Sequence, residues 1–237
     1  MSTVNGKISL EGERLAGTLK SVSGNIEVST KASRIQVQTG SGCVSLHGEG
    51  GEADVSTMSG SIVARGSRFR RGRFESYAGD IRFESNGARD GRFDFKAHGG
   101  AVDLQLSGGD NEVFVTTESG GITVTGEGFK RGWFESQRGD VRFEGSLNPR
   151  GAPDVRTEGD VALLLPAEVD ANFRISTEAG DIQSEFGPAP EIAAHGEALN
   201  FSTGTGRSWV SVKTRRDVSL RKRPAQADTS QTQAGER

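Results

Sequence analysis

A glycine-marked repeat runs through almost the whole sequence and limits the folds that this chain can adopt. Residues 71–85 and 131–145 are identical at ten of fifteen positions, at an offset of sixty residues. That offset divides into units of about 18 to 21 residues, each marked by a glycine two positions before an Ile or Val. The marker positions are Gly6, Gly24, Gly42, Gly60, Gly79, Gly100, Gly120, Gly139, Gly159, Gly180 and, in the last copy, Arg216. Such a period predicts stacked coils that bury their apolar faces against one another.

Residues on both sides of each marker alternate between apolar and polar, which predicts two strands per unit. Ile81, Arg82 and Phe83 follow Gly79 in this way, and similar alternation precedes each marker. We therefore predict an all-β, single-domain, β-helix-like β-solenoid with about ten to eleven coils of 18–21 residues and two main strands per coil. A β-sandwich is the alternative, because it also contains short alternating strands and frequent turns.

Composition and charge exclude several other classes of protein. Glycine accounts for 34 of 237 residues, and glycine inside helices is destabilising, which disfavours a helical bundle. The net charge of −3 provides no basic field for nucleic acid, and the single cysteine, Cys43, excludes an intrachain disulfide. We expect no transmembrane segment, no signal peptide in this chain and no cofactor. These observations leave the localisation open between the cytosol and export.

The repeat extends over residues 1–220, which we predict to be the solenoid domain. Residues 186–207 interrupt the last coil as a loop insertion, and their Phe201 together with Trp209 is expected to plug that end. The polar, aperiodic residues 221–237 are predicted to form a disordered tail. The first coil has no comparable cap, so its edge is a candidate for self-association.

The recurring turn unit resembles a bacterial adhesin-type family of β-strand repeat proteins, a domain-of-unknown-function family. The segments that carry the resemblance are Ser23–Ile26, Tyr77–Ile81, Arg138–Val141, Glu158–Val161, Leu165–Ile182 and Val210–Leu220. The resemblance covers residues 4–220 and implies a β-solenoid-like fold, association with the cell envelope and no established catalytic residues. Arg216 departs from the family's pattern, so the last turn is expected to be distorted.

One set of carboxylates is a weak candidate metal site. Asp140, Asp160 and Asp181 occupy the same coil position, and we expect them to stack on successive rungs about 5 Å apart. Such a column could bind Ca²⁺, or act with Arg142 or Arg82 as the acidic pair of a glycosidase. The alternative is that each Asp stabilises its own turn.

Other reactive or charged residues give weaker signals. Residues 138–140 match the integrin-binding tripeptide Arg-Gly-Asp, but the same turn recurs elsewhere with other residues. One basic strip is a candidate contact surface for anionic glycans or lipid headgroups. It comprises Arg65, Arg68, Arg70, Arg71 and Arg73, and Lys130 and Arg131 repeat part of it sixty residues later. Cys43, His47, His98 and His195 are not spaced as metal ligands or catalytic residues usually are.

Three hypotheses on function follow from these patterns. The first is a non-enzymatic adhesin-like or scaffold protein, with surface glycans or envelope components as its partners. The second is a filament protein whose coils stack end to end through the first coil. The third is a carbohydrate-active β-helix enzyme that uses the Asp column.

Overall fold

The computed structural model describes residues 1–193 and 195–223, and this part of the chain is all-β. Its strands are β1 Ser2–Asn5, β2 Ile8–Glu13, β3 Ala16–Ser23, β4 Ile26–Ser41, β5 Val44–Ser59, β6 Ile62–Ser67, β7 Arg71–Ser76, β8 Ile81–Arg89, β9 Arg92–Ala97 and β10 Val102–Gly109. They continue as β11 Asn111–Thr117, β12 Ile122–Ser136, β13 Val141–Thr157, β14 Val161–Pro166, β15 Ala171–Thr177, β16 Ile182–Ser184, β17 Glu191–Ile192, β18 Glu197–Ser202, β19 Ser208–Thr214 and β20 Val218–Arg223. In this part of the chain no helix is long and apolar enough to cross a membrane.

Two strand segments of each coil stack in parallel on the equivalent segments of the next coil. The segments that follow the markers form what we call the post-glycine face, in which Ile62 pairs with Val44 on one side and Ile81 on the other. The segments that precede the markers form the pre-glycine face, in which Phe74 pairs with Val55 and Phe95. Inward side chains of both faces meet in one continuous apolar core. The structure is therefore the β-solenoid that the repeat predicts.

Marker glycines are required mainly because consecutive coils approach closely at this corner. A Cβ atom on Gly120 would lie 1.8 Å from the carbonyl oxygen of Gly100, and one on Gly139 would lie 2.1 Å from that of Gly120. Positive φ angles occur only in the first four markers, for example 131° at Gly24. The nearby Ser136 hydroxyl donates to the Gly120 carbonyl at 3.0 Å and accepts from the Gly139 amide at 2.8 Å. This corner thus joins each coil to its neighbour.

The coils do not all stack in the order of the sequence, and this corrects the expected count. About eight turns, from β3 to β14, are wound continuously in sequence order. Beyond them, β19 lies between β13 and β15, and β20 lies between β14 and β16. The last coil in sequence is therefore inserted between two earlier ones. The predicted ten to eleven coils exceed the number of regular turns. The first coil is a short edge, and the last two coils are stacked out of sequence order.

A hairpin from the loop insertion covers the C-terminal end of the stack. Strand β18 pairs antiparallel with β15, and β17 pairs antiparallel with β18. Phe201 stacks on Phe173 with ring centroids 4.6 Å apart, as expected for a plug. Trp209 does not plug this end, because it lies on the outward side of β19 and is 57% exposed. Strand β20 runs to Arg223, three residues beyond the predicted domain end, and residues 224–237 of the predicted tail lie outside the described residues.

Candidate functional site

The carboxylate column contains a fourth member, which changes its geometry. Asp217 of the inserted coil lies between Asp160 and Asp181, so these two are not on successive rungs. Three of the four carboxylates accept a hydrogen bond from the backbone amide of the next coil: Asp140 from Asp160 at 2.9 Å, Asp160 from Asp217 at 3.3 Å, and Asp217 from Asp181 at 3.0 Å. Asn25 does the same with the Cys43 amide at 3.0 Å. The column therefore joins neighbouring coils through hydrogen bonds between side chains and backbone amides.

The other parts of the proposed acidic site are also engaged in local contacts. Arg142 pairs with Glu144 at 3.2 Å, and Arg82 pairs with Asp103 at 3.3 Å. Among residues 1–193 and 195–223, no group of three or more His, Cys, Asp and Glu side chains is arranged to hold a metal ion. Within this region Asp140 and Asp160 thus act as hydrogen-bond acceptors for backbone amides, and Asp181 donates its own amide to Asp217.

The expected basic strip is divided between two surfaces of the solenoid. Arg65 lies in β6 on the post-glycine face, where it pairs with Glu84 at 3.0 Å. Arg71 and Arg73 lie in β7 on the pre-glycine face, and Arg131 occupies the equivalent face in β12. Arg68 lies at the corner between the two faces, with a φ of 56°. The strip is consequently not one continuous basic surface.

His98 makes the most specific contacts of the three histidines. Its Nδ1 lies 2.8 Å from Glu118 Oε1, and its ring lies 4.8 Å from that of Tyr77, measured between centroids. His47 lies in β5 and His195 in the loop insertion, so the three are on different parts of the molecule. In the Arg-Gly-Asp segment, the Asp140 carboxylate is occupied by the Asp160 amide. These residues do not form a common site.

A groove on the pre-glycine face brings together aromatic and charged residues that the sequence did not single out as a group. It has a volume of about 360 Å³. Its floor is formed by the backbone around Gly132 and Pro153, both buried. The residues along its sides are Phe114, Arg131, Trp133, Ala152, Asp154, Trp209 and Ser211. Larger grooves lie elsewhere on the described part of the chain, and this one differs from them in containing both tryptophans.

Guanidinium groups stack on two of the aromatic rings beside this groove. Arg156 lies 4.5 Å from the centre of the Trp133 ring, and Arg92 lies 4.7 Å from the centre of the Phe114 ring. Arg156 also donates two hydrogen bonds to Asp154, at 3.2 and 3.3 Å, and this contact raises the pKa of the guanidinium. Such cation–π and bidentate contacts hold the side chains in defined positions. The groove is therefore a partly preformed surface.

The fold and this groove define the protein as a β-solenoid with an exposed aromatic surface. The Toastrack DUF4097 family, a domain-of-unknown-function family, matches residues 16–144, more than half of the chain. The chain belongs to this family. The segments 165–182 and 210–220 that also carry the sequence resemblance lie outside the matched range. No curated protein and no solved structure matches the chain.

Proposed function

We propose that this protein is a non-enzymatic, adhesin-like or scaffold β-solenoid of the bacterial cell envelope that binds partners through its long faces. The observation that carries the proposal is the continuous outward surface of the pre-glycine face. Its central row crosses seven coils in register, for about 29 Å at the usual strand spacing. The row consists of Asp54, Arg73, Asp94, Phe114, Trp133, Asp154 and Ser211.

Two features, one on this surface and one at the coil corner, support a binding role over an enzymatic one. Several of its charged side chains pair with one another, as Arg34 does with Glu52 at 2.7 Å, which favours an extended contact surface over a focused reactive centre. The Asp column lies at the coil corner, where its carboxylates accept backbone hydrogen bonds. A glycosidase instead requires two carboxyl groups directed at one substrate bond.

The filament alternative receives less support from the C-terminal end. End-to-end stacking requires an exposed strand edge at both ends of the solenoid. Strand β18 covers β15 in antiparallel pairing along Asn172–Ser176. A second molecule can add to this edge of β15 only after it displaces that hairpin.

Fractionation and co-sedimentation test the proposed function. In the native bacterium, we expect the protein in the envelope fraction, and we expect the purified full chain to sediment with isolated envelopes. A cytosolic location together with no sedimentation would contradict the proposal. Turnover of envelope polysaccharide that is abolished by Asp140→Asn and Asp160→Asn would instead support an enzyme.

A further inference from the structure

A small side chain between two large ones creates the groove on the pre-glycine face. Arg131 pairs with Ala152 on the next coil, and Trp209 lies on the coil after that, two residues before Ser211, the partner of Asp154. Because two coil spacings separate Arg131 from Trp209, their backbones lie about 10 Å apart. The methyl group of Ala152 leaves this space open. The gap has the dimensions of one ring-shaped ligand placed between an aromatic and a cationic wall.

Both walls of the groove are free of ring, cation or ion-pair contacts with other described residues. Trp209 is 57% exposed, and no ring or cation contact covers it among the described residues. Arg131 is exposed and has no ion pair within the described residues, whereas Arg92 pairs with Glu112 and Arg156 pairs with Asp154. Arg131 therefore keeps its guanidinium available for an incoming carboxylate.

We propose that this groove binds a carboxylated sugar ring of an envelope glycan, which rests on the binding function proposed above. The apolar face of the sugar packs on the Trp209 indole, and the sugar carboxylate accepts hydrogen bonds from the Arg131 guanidinium. Aromatic walls with a few placed polar groups are typical of small-molecule sites. Asp154 and Ser211 border the groove and provide acceptors for sugar hydroxyls.

Charge favours a carboxylated sugar over single-stranded nucleic acid, which also stacks on aromatic side chains. Proteins that bind single strands combine their aromatic platforms with a positively charged groove that follows the phosphates. Here the basic residues Arg92, Arg131 and Arg156 are balanced by Glu112, Glu135 and Asp154. Such a charge-balanced surface, on which the Arg131 guanidinium at the groove has no ion pair with a described residue, is suited to an isolated carboxylate.

The intrinsic tryptophan fluorescence of the protein can report binding at this groove. Its only two tryptophans are Trp133 and Trp209, and both border the groove. Titration of the full chain with digalacturonate should therefore change the intrinsic fluorescence in a saturable way. The methyl ester of the same disaccharide is the matched neutral probe, and a thymidine oligonucleotide tests the alternative ligand. Calorimetry of the same titrations gives an independent measure of affinity.

Two variants separate the contributions of shape and charge and retain both tryptophans. Ala152→Leu fills the groove and should weaken binding of both disaccharides by about tenfold or more. Arg131→Gln should weaken digalacturonate binding about tenfold and leave binding of the methyl ester unchanged. Thr116→Leu, an exposed position on the same face outside the groove, is the control and should bind as the wild type does. Circular dichroism verifies that all three variants fold.

The outcomes distinguish this inference from the proposed function. Unchanged binding by Ala152→Leu, no response to digalacturonate, or tighter binding of the oligonucleotide would each overturn the sugar site. If Ala152→Leu still sediments with envelopes as the wild type does, the envelope function survives and the groove is not its site. If digalacturonate binds as expected but the chain is cytosolic and does not sediment, the groove stands and the envelope function fails.

Discussion

The turns from β3 to β14 and the turns from β15 to β20 use the same repeat in two different ways. In the first region each coil stacks on the coil that precedes it in sequence, as Val44 does on Ile26. In the second region Val212 lies between Val155 and Ile175, although both precede it by more than thirty residues. The repeat thus specifies the shape of a coil and its buried side. It leaves open which coil becomes its neighbour.

One feature of the turns coincides with the changed stacking order. In most coils the small hydroxyl residue lies three positions before the marker, as Ser136 does before Gly139. In two coils it lies only two positions before, at Thr157 and Thr214. These two shortened turns lie on adjacent coils, and the Thr214 hydroxyl donates to the Gly159 carbonyl. Coils of matching turn length therefore pack together at this point.

The largest expected effect is the loss of an aromatic ring from the core of the regular turns. Phe83 is fully buried, and its ring centre lies 5.0 to 5.8 Å from those of four other phenylalanines. Phe83→Ala should lower the free energy of unfolding by about 3–5 kcal/mol, measured by urea denaturation. Gln105→Ala, at an exposed position, is the control. A loss no larger than that of the control would contradict the prediction.

The same substitution at the C-terminal end sharpens the comparison. Phe173 packs between Phe201 and Phe186, outside the turns that are wound in sequence order. Phe173→Ala should accelerate hydrogen exchange of amides in β15, β18 and β19 and leave those of β4 and β5 protected. Equal acceleration in both regions would show that the solenoid opens only as one unit.

A second pair of variants compares the marker position in the two regions. Gly120→Ala places a Cβ atom 1.8 Å from the Gly100 carbonyl oxygen and should destabilise the protein by about 1–3 kcal/mol. Arg216 already has a side chain at this position, so Arg216→Gly should cost only about 0.5–1 kcal/mol of backbone entropy. Thermal unfolding of both variants measures the difference. If Gly120→Ala is as stable as the wild type, close approach is not what selects glycine.

The inserted coil should be coupled to both of its neighbours. Val212 is 1% exposed, and Val212→Ala should cost about 1.5 kcal/mol from the lost apolar burial. We expect faster hydrogen exchange in β15 as well as in β19, since each completes the pairing of the other. Val55→Ala makes the same change in β5 and should leave β15 and β19 unaffected. Acceleration confined to β19 would contradict this coupling.

The smallest effect is expected from pH at the turn that leads into β19. The Thr205 hydroxyl lowers the pKa of Asp170 by a hydrogen bond of 2.8 Å, and the Arg207 amide contributes at 3.2 Å. Because the folded pKa is lowered, the stabilisation is present above the ordinary pKa and is lost as the pH falls through the folded value, from about pH 4 downward. The chemical shift of the Arg207 amide should follow this titration. Asp170→Asn should abolish the change, and a persistent titration in that variant would assign it to another group.

Local patterns in the sequence predicted the strands, the buried side chains and the marker corners. Period-two alternation places Phe134 inside and therefore Trp133 outside, so the outward position of this aromatic residue was available from the sequence. The groove could not be predicted from the sequence, because its far wall, Trp209, belongs to the inserted coil. Only the stacking order places Trp209 beside Ala152, and stacking order depends on pairings between distant segments.

The carboxylate column illustrates the same limit. Asp140 and Asp160 lie on adjacent coils as the spacing predicts. Asp181 does not follow them directly, because Asp217 occupies the intervening coil. The glycine pattern had already marked Arg216 as an unusual copy. The sequence does contain a sign that Asp217 belongs to the column. Asp217 directly precedes Val218, just as Asp140 precedes Val141 and Asp160 precedes Val161.

The inserted coil also has a consequence for how the protein is made. Ribosomes produce β15 and β16 before β19 and β20, yet the later strands separate β15 from β13 and β16 from β14. When β15 has just emerged, the edge of β13 that β19 later covers is still exposed and can accept a parallel strand. A nascent chain therefore meets a competing arrangement, stacked in sequence order, before the native one becomes possible. The native order is reached only when residues 208–223 have been synthesised and have entered the gap.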